Sequence, residues 1–191
     1  MGSTVKVNNI EIWYEEFGDK TNQTVLLIMG ANANCMQWGQ EFIDALIAKD
    51  FHVVRFDNRD VGKSTWFGKE PVINKILKFL PSFILKTLVN SIFGLAIDDK
   101  GKFKFSENTK VQYNLSDMAQ DAVSLMNELQ IKKAHIIGAS MGGMITQLIA
   151  LDHSDKVLSI TPIMTTPGIQ NDSLSGPTNG LLEAMKKSFV F

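Results

Sequence analysis

The sequence predicts an α/β fold, a mostly parallel sheet with helices on both faces. Three observations carry that prediction. Short apolar runs recur without polar alternation, as strands buried on both faces require. Helical periodicities fall between those runs, giving the strand–helix rhythm of right-handed βαβ units. The length, 191 residues, suffices for one domain with a substantial core and would cramp two.

The elements follow in chain order. Val5-Lys6-Val7 and Ile10 to Tyr14 flank the turn-prone pair Asn8-Asn9, which reads as an antiparallel hairpin. The buried parallel runs are Val25 to Met29, Val53-Val54 with Phe56, His135 to Ile137, and Val157 to Met164. Between them, Gln40 to Lys49 places Phe42, Ala45, Leu46 and Lys49 at helical spacing. Ser116 to Leu129 reads as a helix with Ser116 as its N-cap. A third helix runs from about Gly143 to Leu151. The stretch 66–112 is too long for an ordinary connection and carries its own helical patterns. A further helix, Leu181 to Lys187, reads as the start of a cap spanning about 168–191.

Composition excludes several classes. Apolar residues make up 45% and charged residues 20%, ordinary for a globular domain. A net charge of -1 gives no electrostatic reason to expect nucleic acid. Cys35 is the single cysteine, so no intrachain disulfide forms, and a reducing, cytoplasmic setting is expected. The N-terminus lacks the basic and apolar regions of a secretory signal. The segment 72–97 is interrupted by Lys75, Lys78, Pro81 and Lys86, so a pair of amphipathic helices is expected there rather than a membrane span. No Cys/His spacing points to a metal. Gly62-Lys63-Ser64 resembles the end of a phosphate loop, but Asp57 stands where that motif needs its first glycine.

The chemistry centres on Gly138-Ala139-Ser140-Met141-Gly142, which fits Gly-X-Ser-X-Gly between a strand and a helix. A serine on so sharp a turn needs small neighbours, and its hydroxyl is lifted above the sheet. The next amide, Met141 N–H, then opens a helix and is free to bind an oxyanion. The loop after the first parallel strand, Gly30-Ala31-Asn32-Ala33-Asn34, supplies the second donor, the Ala31 N–H.

Taken together, Leu27 to Gly30, Trp38, the loop Val54 to Ser64 and the run Gly138 to Gly143 resemble the α/β-hydrolase superfamily. Met29-Gly30 and the Asp57-Asn58-Arg59-Asp60-Val61-Gly62-Lys63-Ser64 loop are similar to its small esterases, including the anthracycline methyl esterases. The resemblance implies a helical cap, no cofactor, and hydrolysis of a small-molecule carboxylic ester or related acyl bond. It also implies that Asp57 and Arg59 pin the loop beside the site.

A base and an acid are still needed. In this fold the chain order is serine, acid, histidine. His52 and His135 precede Ser140, and His153 ends the helix that starts at the serine. Asp172 follows the last strand but has no histidine to orient. The resemblance implies two further strands bearing acid and base, so a truncated hydrolase, inactive alone, is the expectation. A non-catalytic binding module and a perhydrolase or haloperoxidase-like activity completed in trans are the rival readings. Without those strands, Val157 to Met164 becomes an open apolar edge, and self-association through it is expected.

Overall fold

The computed structural model describes residues 2–68 and 112–167, which fall in one compact unit. The expected helices of 72–97 and 181–187, the start of the cap, and Asp172 lie outside the described residues.

Six strands make one sheet: β1 (Ser3–Val7), β2 (Ile10–Phe17), β3 (Thr24–Ile28), β4 (His52–Phe56), β5 (Ala134–Ala139) and β6 (Val157–Ile163). Their order is β1-β2-β4-β3-β5-β6. The hairpin β1–β2 turns on Asn8 and Asn9, both at positive φ (45° and 65°), as a two-residue turn matching the strand twist requires. β2 also pairs antiparallel with β4, and every later pairing is parallel.

Alternation along the strands splits the core in two. Leu26, Ile28, Val54 and Ile136 face α2 (Leu115–Glu128) and α3 (Met141–Asp152), meeting Leu125, Met126, Ile145 and Ile149. Val25, Leu27 and Val53 face the other side, meeting Trp38 and Ile43 of the segment that carries α1 (Gln40–Ile47). Helices therefore cover both faces, as the sequence predicts.

Two expectations need correction. The N-cap of α2 is Asn114, not Ser116. Asn114 accepts from Asp117 N–H at 3.1 Å, and the Asp117 carboxylate accepts from Asn114 N–H at 2.7 Å. That reciprocal box needs an acidic or amide side chain three residues on; Asn114 has Asp117, whereas Ser116 has Ala119. The helix ends in a Schellman turn, Ile131 N–H donating to Met126 O at 2.8 Å with Gln130 at φ 58°. The second correction concerns β6. Its apolar run suits a strand buried on both faces, yet five of its seven residues are exposed. It lies at the sheet's end and pairs with β5 alone, so no second neighbour covers it among the described residues.

Candidate active site

The turn between β5 and α3 is built around Ser140, which sits at φ 54° and ψ −118°. A serine pays about 1–3 kcal/mol to hold such a conformation, so the surroundings must fix it. They do so through hydrogen bonds. Ser140 N–H donates to Ile163 O of β6 at 2.9 Å, and Ser140 O accepts from Gly143 N–H at 2.9 Å and Met144 N–H at 3.3 Å. The residue is exposed, and its hydroxyl makes no hydrogen bond with a described residue. The expected strained turn is present.

Close approach explains two glycines. A Cβ on Gly30 would stand 3.1 Å from Ser140 Cβ and 3.6 Å from its Oγ, so the loop after β3 passes directly beside the serine. A Cβ on Gly142 would overlap the Ile28 carbonyl, which lets α3 start against the end of β3. Gly142→Ala is expected to push strand and helix apart, at a cost of about 1–3 kcal/mol. Urea denaturation measures this; an unchanged midpoint would mean that the approach is not needed.

Met141 is the first residue of α3, so its N–H has no intrahelical acceptor. Ala31 is exposed on the loop that Gly30 brings beside Ser140, and its N–H donates to no described acceptor. That loop is held from below. Asn58 Nδ2 donates to Met29 O at 2.9 Å. The Asp57 carboxylate accepts from Cys35 N–H at 2.8 Å and Lys63 N–H at 2.9 Å. Asp57 thus ties the loop after β4 to the loop after β3. Arg59 instead reaches Asp121 of α2, at 2.6 Å and 2.8 Å, and pins its own loop to the helix. Asn58 went unnoticed in the sequence; its only signal is an amide next to Asp57 in the loop after a buried strand.

The three histidines lie elsewhere. His153 closes the 12-residue helix α3, about 18 Å from its start at 1.5 Å per residue. His135 is the second residue of β5, roughly 16 Å of strand from Ser140, and is held by Ser159 Oγ and Gln23 Oε1. His52 opens β4 and is bonded to Thr24 Oγ1 at 3.0 Å. Cys35 is no substitute nucleophile, since burial and the Asp57 carboxylate push its thiol far up. Among the described residues no three His, Cys, Asp or Glu side chains cluster as metal ligands. No described helix is long and apolar enough to cross a membrane.

With an elbow after the fifth strand and this strand order in place, the comparisons agree. The alpha/beta hydrolase fold family matches residues 23–190, and the chain belongs to it. Rhodomycin D methylesterase DnrP of Streptomyces peucetius is 26% identical over 159 residues, covering 82% of this chain and 40% of the esterase. A carboxylesterase structure from Nitrososphaera gargenis aligns with a TM-score of 0.61 at 22% identity, covering 91% of this chain and 48% of that one. The enol-lactonase of Burkholderia xenovorans LB400 aligns with a TM-score of 0.58 at 20% identity, covering 85% and 46%. At such identities the structures speak for the fold alone. The chain spans about 40% of the length of the curated methylesterases it matches.

Proposed function

We propose that this chain carries the nucleophile half of a serine hydrolase acting on a small carboxylic ester. Ser140 is the nucleophile, and the Ala31 and Met141 N–H groups form the oxyanion hole. The observation that carries the reading is the strained, exposed Ser140 at the β5–α3 turn with Gly30 packed beside it. Strain of this kind persists where it serves a reaction, and a donor pair beside the serine stabilises the tetrahedral oxyanion. The likeness to a methylesterase supports an ester as substrate.

The base comes from outside the chain's own three histidines. A fusion of residues 1–191 to the C-terminal strands of a full-length methylesterase tests the assignment. The folded fusion is expected to hydrolyse a p-nitrophenyl ester at least 10³-fold faster than the chain alone, the scale of restoring a triad base, and Ser140→Ala is expected to abolish the gain. A fusion with native-like near-ultraviolet circular dichroism and no Ser140-dependent gain would exclude Ser140 as nucleophile. A second reading, a binding module without turnover, draws on the unpartnered Ser140 hydroxyl. It would be favoured if the chain bound an ester-bearing ligand equally well with Ser140 or Ala at that position.

Self-association through β6 is part of the same proposal. Leu158 and Ile160 are exposed on a strand without a charged residue, and Met164 follows it at 73% exposure. An uncharged, unpaired edge accepts another strand. Sizing by light scattering across a dilution series is expected to show dimers or larger species, and Ile160→Lys is expected to shift them toward monomer. A concentration-independent monomer would contradict this.

A further inference from the structure

Ser140 is not the only strained residue beside the nucleophile turn. β6 ends at Ile163, and the next residue, Met164, holds φ 47°, in the left-handed region that a methionine rarely adopts. Its side chain is 73% exposed and gains little that could offset the strain. What the bend achieves lies on either side of it. Before it, Ile163 O accepts the Ser140 N–H at 2.9 Å. After it, Thr165 is laid onto the first turn of α3. A Cβ on Gly143 would stand 2.6 Å from Thr165 Cγ2 and 2.7 Å from Thr165 Cβ. Thr166 O then accepts from Gln147 Nε2 at 3.4 Å, and the same amide donates to Gly143 O at 3.1 Å. Residues 163–166 therefore hold Ser140, Gly143 and Gln147 in turn.

The Thr165 hydroxyl shows which part of that side chain matters. Oγ1 is buried and has no hydrogen-bond partner among the described residues. A buried hydroxyl left in this way costs free energy, so polar bonding does not explain why the side chain sits there. Its shape does: a stiff, β-branched side chain fills the space that a glycine leaves open.

We propose that Thr165 and Gln147 are positioning residues that brace the strained serine turn from the β6 side. A strained backbone persists only where its surroundings over-determine it. The brace supplies that constraint and keeps the Ser140 hydroxyl and the Met141 N–H in fixed relation. Its value to catalysis rests on Ser140 being the nucleophile, whereas the brace itself is a property of the backbone and is tested without turnover.

Native-state hydrogen exchange of the full chain, read amide by amide by NMR, provides that test. The N–H groups of Ser140, Gly143 and Met144 are all bonded within the turn or to β6. They are expected to exchange roughly fivefold faster or more in Thr165→Ala and in Gln147→Leu, the scale of losing a packed methyl or a hydrogen bond. Met118, bonded to Asn114 O at the start of α2, is expected to keep its rate, since local openings are separate events. Thr165→Val keeps the shape without the hydroxyl and is expected to retain the wild-type rates. Thr165→Ser, a milder truncation, replaces Thr165→Ala if that chain does not fold, and is expected to accelerate the same amides. Unchanged Ser140 exchange in both truncations, equal acceleration of Met118, or Thr165→Val as fast as Thr165→Ala would overturn the proposal. The rate at which a fluorophosphonate labels Ser140 in long incubations is expected to fall in the same variants. A wild-type chain that never labels would remove Ser140 as nucleophile, and with it the catalytic role of the brace, even where the exchange rates show that the brace exists.

Discussion

Purified 191-residue chain is expected to hydrolyse p-nitrophenyl acetate no faster than about 10³–10⁴ times the uncatalysed rate, the residue left when binding and an oxyanion hole act alone. Removing the base of a serine hydrolase costs on the order of 10⁶ in kcat, and losses within a triad are not additive. The reason lies in the geometry. His153 stands at the far end of α3, and His52 and His135 sit at the opposite end of the sheet, bonded to Thr24, Ser159 and Gln23. None of them reaches the Ser140 hydroxyl. A fluorophosphonate probe, which needs an activated serine, is expected to label Ser140 slowly. Labelling that is rapid, stoichiometric and lost in Ser140→Ala would show that some base does reach the serine, for example one supplied by a second copy. Mixing the inactive Ser140→Ala chain with wild type would then separate the two cases, since a base donated in trans survives in the variant.

Much of this site was legible in the sequence because its signals are local. Gly-X-Ser-X-Gly encodes a turn that no other residue types fit, and Gly30 marks where a second loop crosses it. The same holds for Asn8-Asn9, whose positive φ values need small polar residues. What the sequence concealed depends on partners distant in the chain. Asn58 holds the Met29 carbonyl from 29 residues away, and its place beside Asp57 does not say which carbonyl it meets. The place of β6 at an open edge was expected from the sequence, but its exposure was not: Val157 to Ile163 is written like a buried strand, and five of its seven residues are exposed. The N-cap of α2 was misplaced because a serine is a good cap by itself, whereas the decisive feature is the pair Asn114 and Asp117. A capping box is a two-residue signal, and reading one residue of it misses the helix start by a fraction of a turn.

One buried ion pair pins the loop after β4 to α2, and breaking that pair is expected to destabilise the described unit severely. Arg59 and Asp121 have side chains only 7% and 3% exposed and meet at 2.6 Å. Asn8 Nδ2 donates to the same carboxylate at 3.0 Å, so the β1–β2 turn, the loop after β4 and α2 converge on Asp121. The Arg59 guanidinium also lies over the Tyr113 and Phe67 rings, 4.8 Å and 5.2 Å from their centroids. In Asp121→Ala that guanidinium stays buried with its countercharge gone. The expected cost is about 3–5 kcal/mol, much of it the desolvation of an unpaired charge rather than the lost attraction. Replacing both partners by apolar side chains, Arg59→Met with Asp121→Leu, removes that buried charge and is expected to recover most of the loss. Urea denaturation of the two single variants and the double variant measures the coupling directly. A loss of under about 1 kcal/mol in Asp121→Ala, the worth of a solvent-exposed pair, would mean that water reaches Arg59 and that the bonds of Asp57 and Asn58 suffice to anchor the loop.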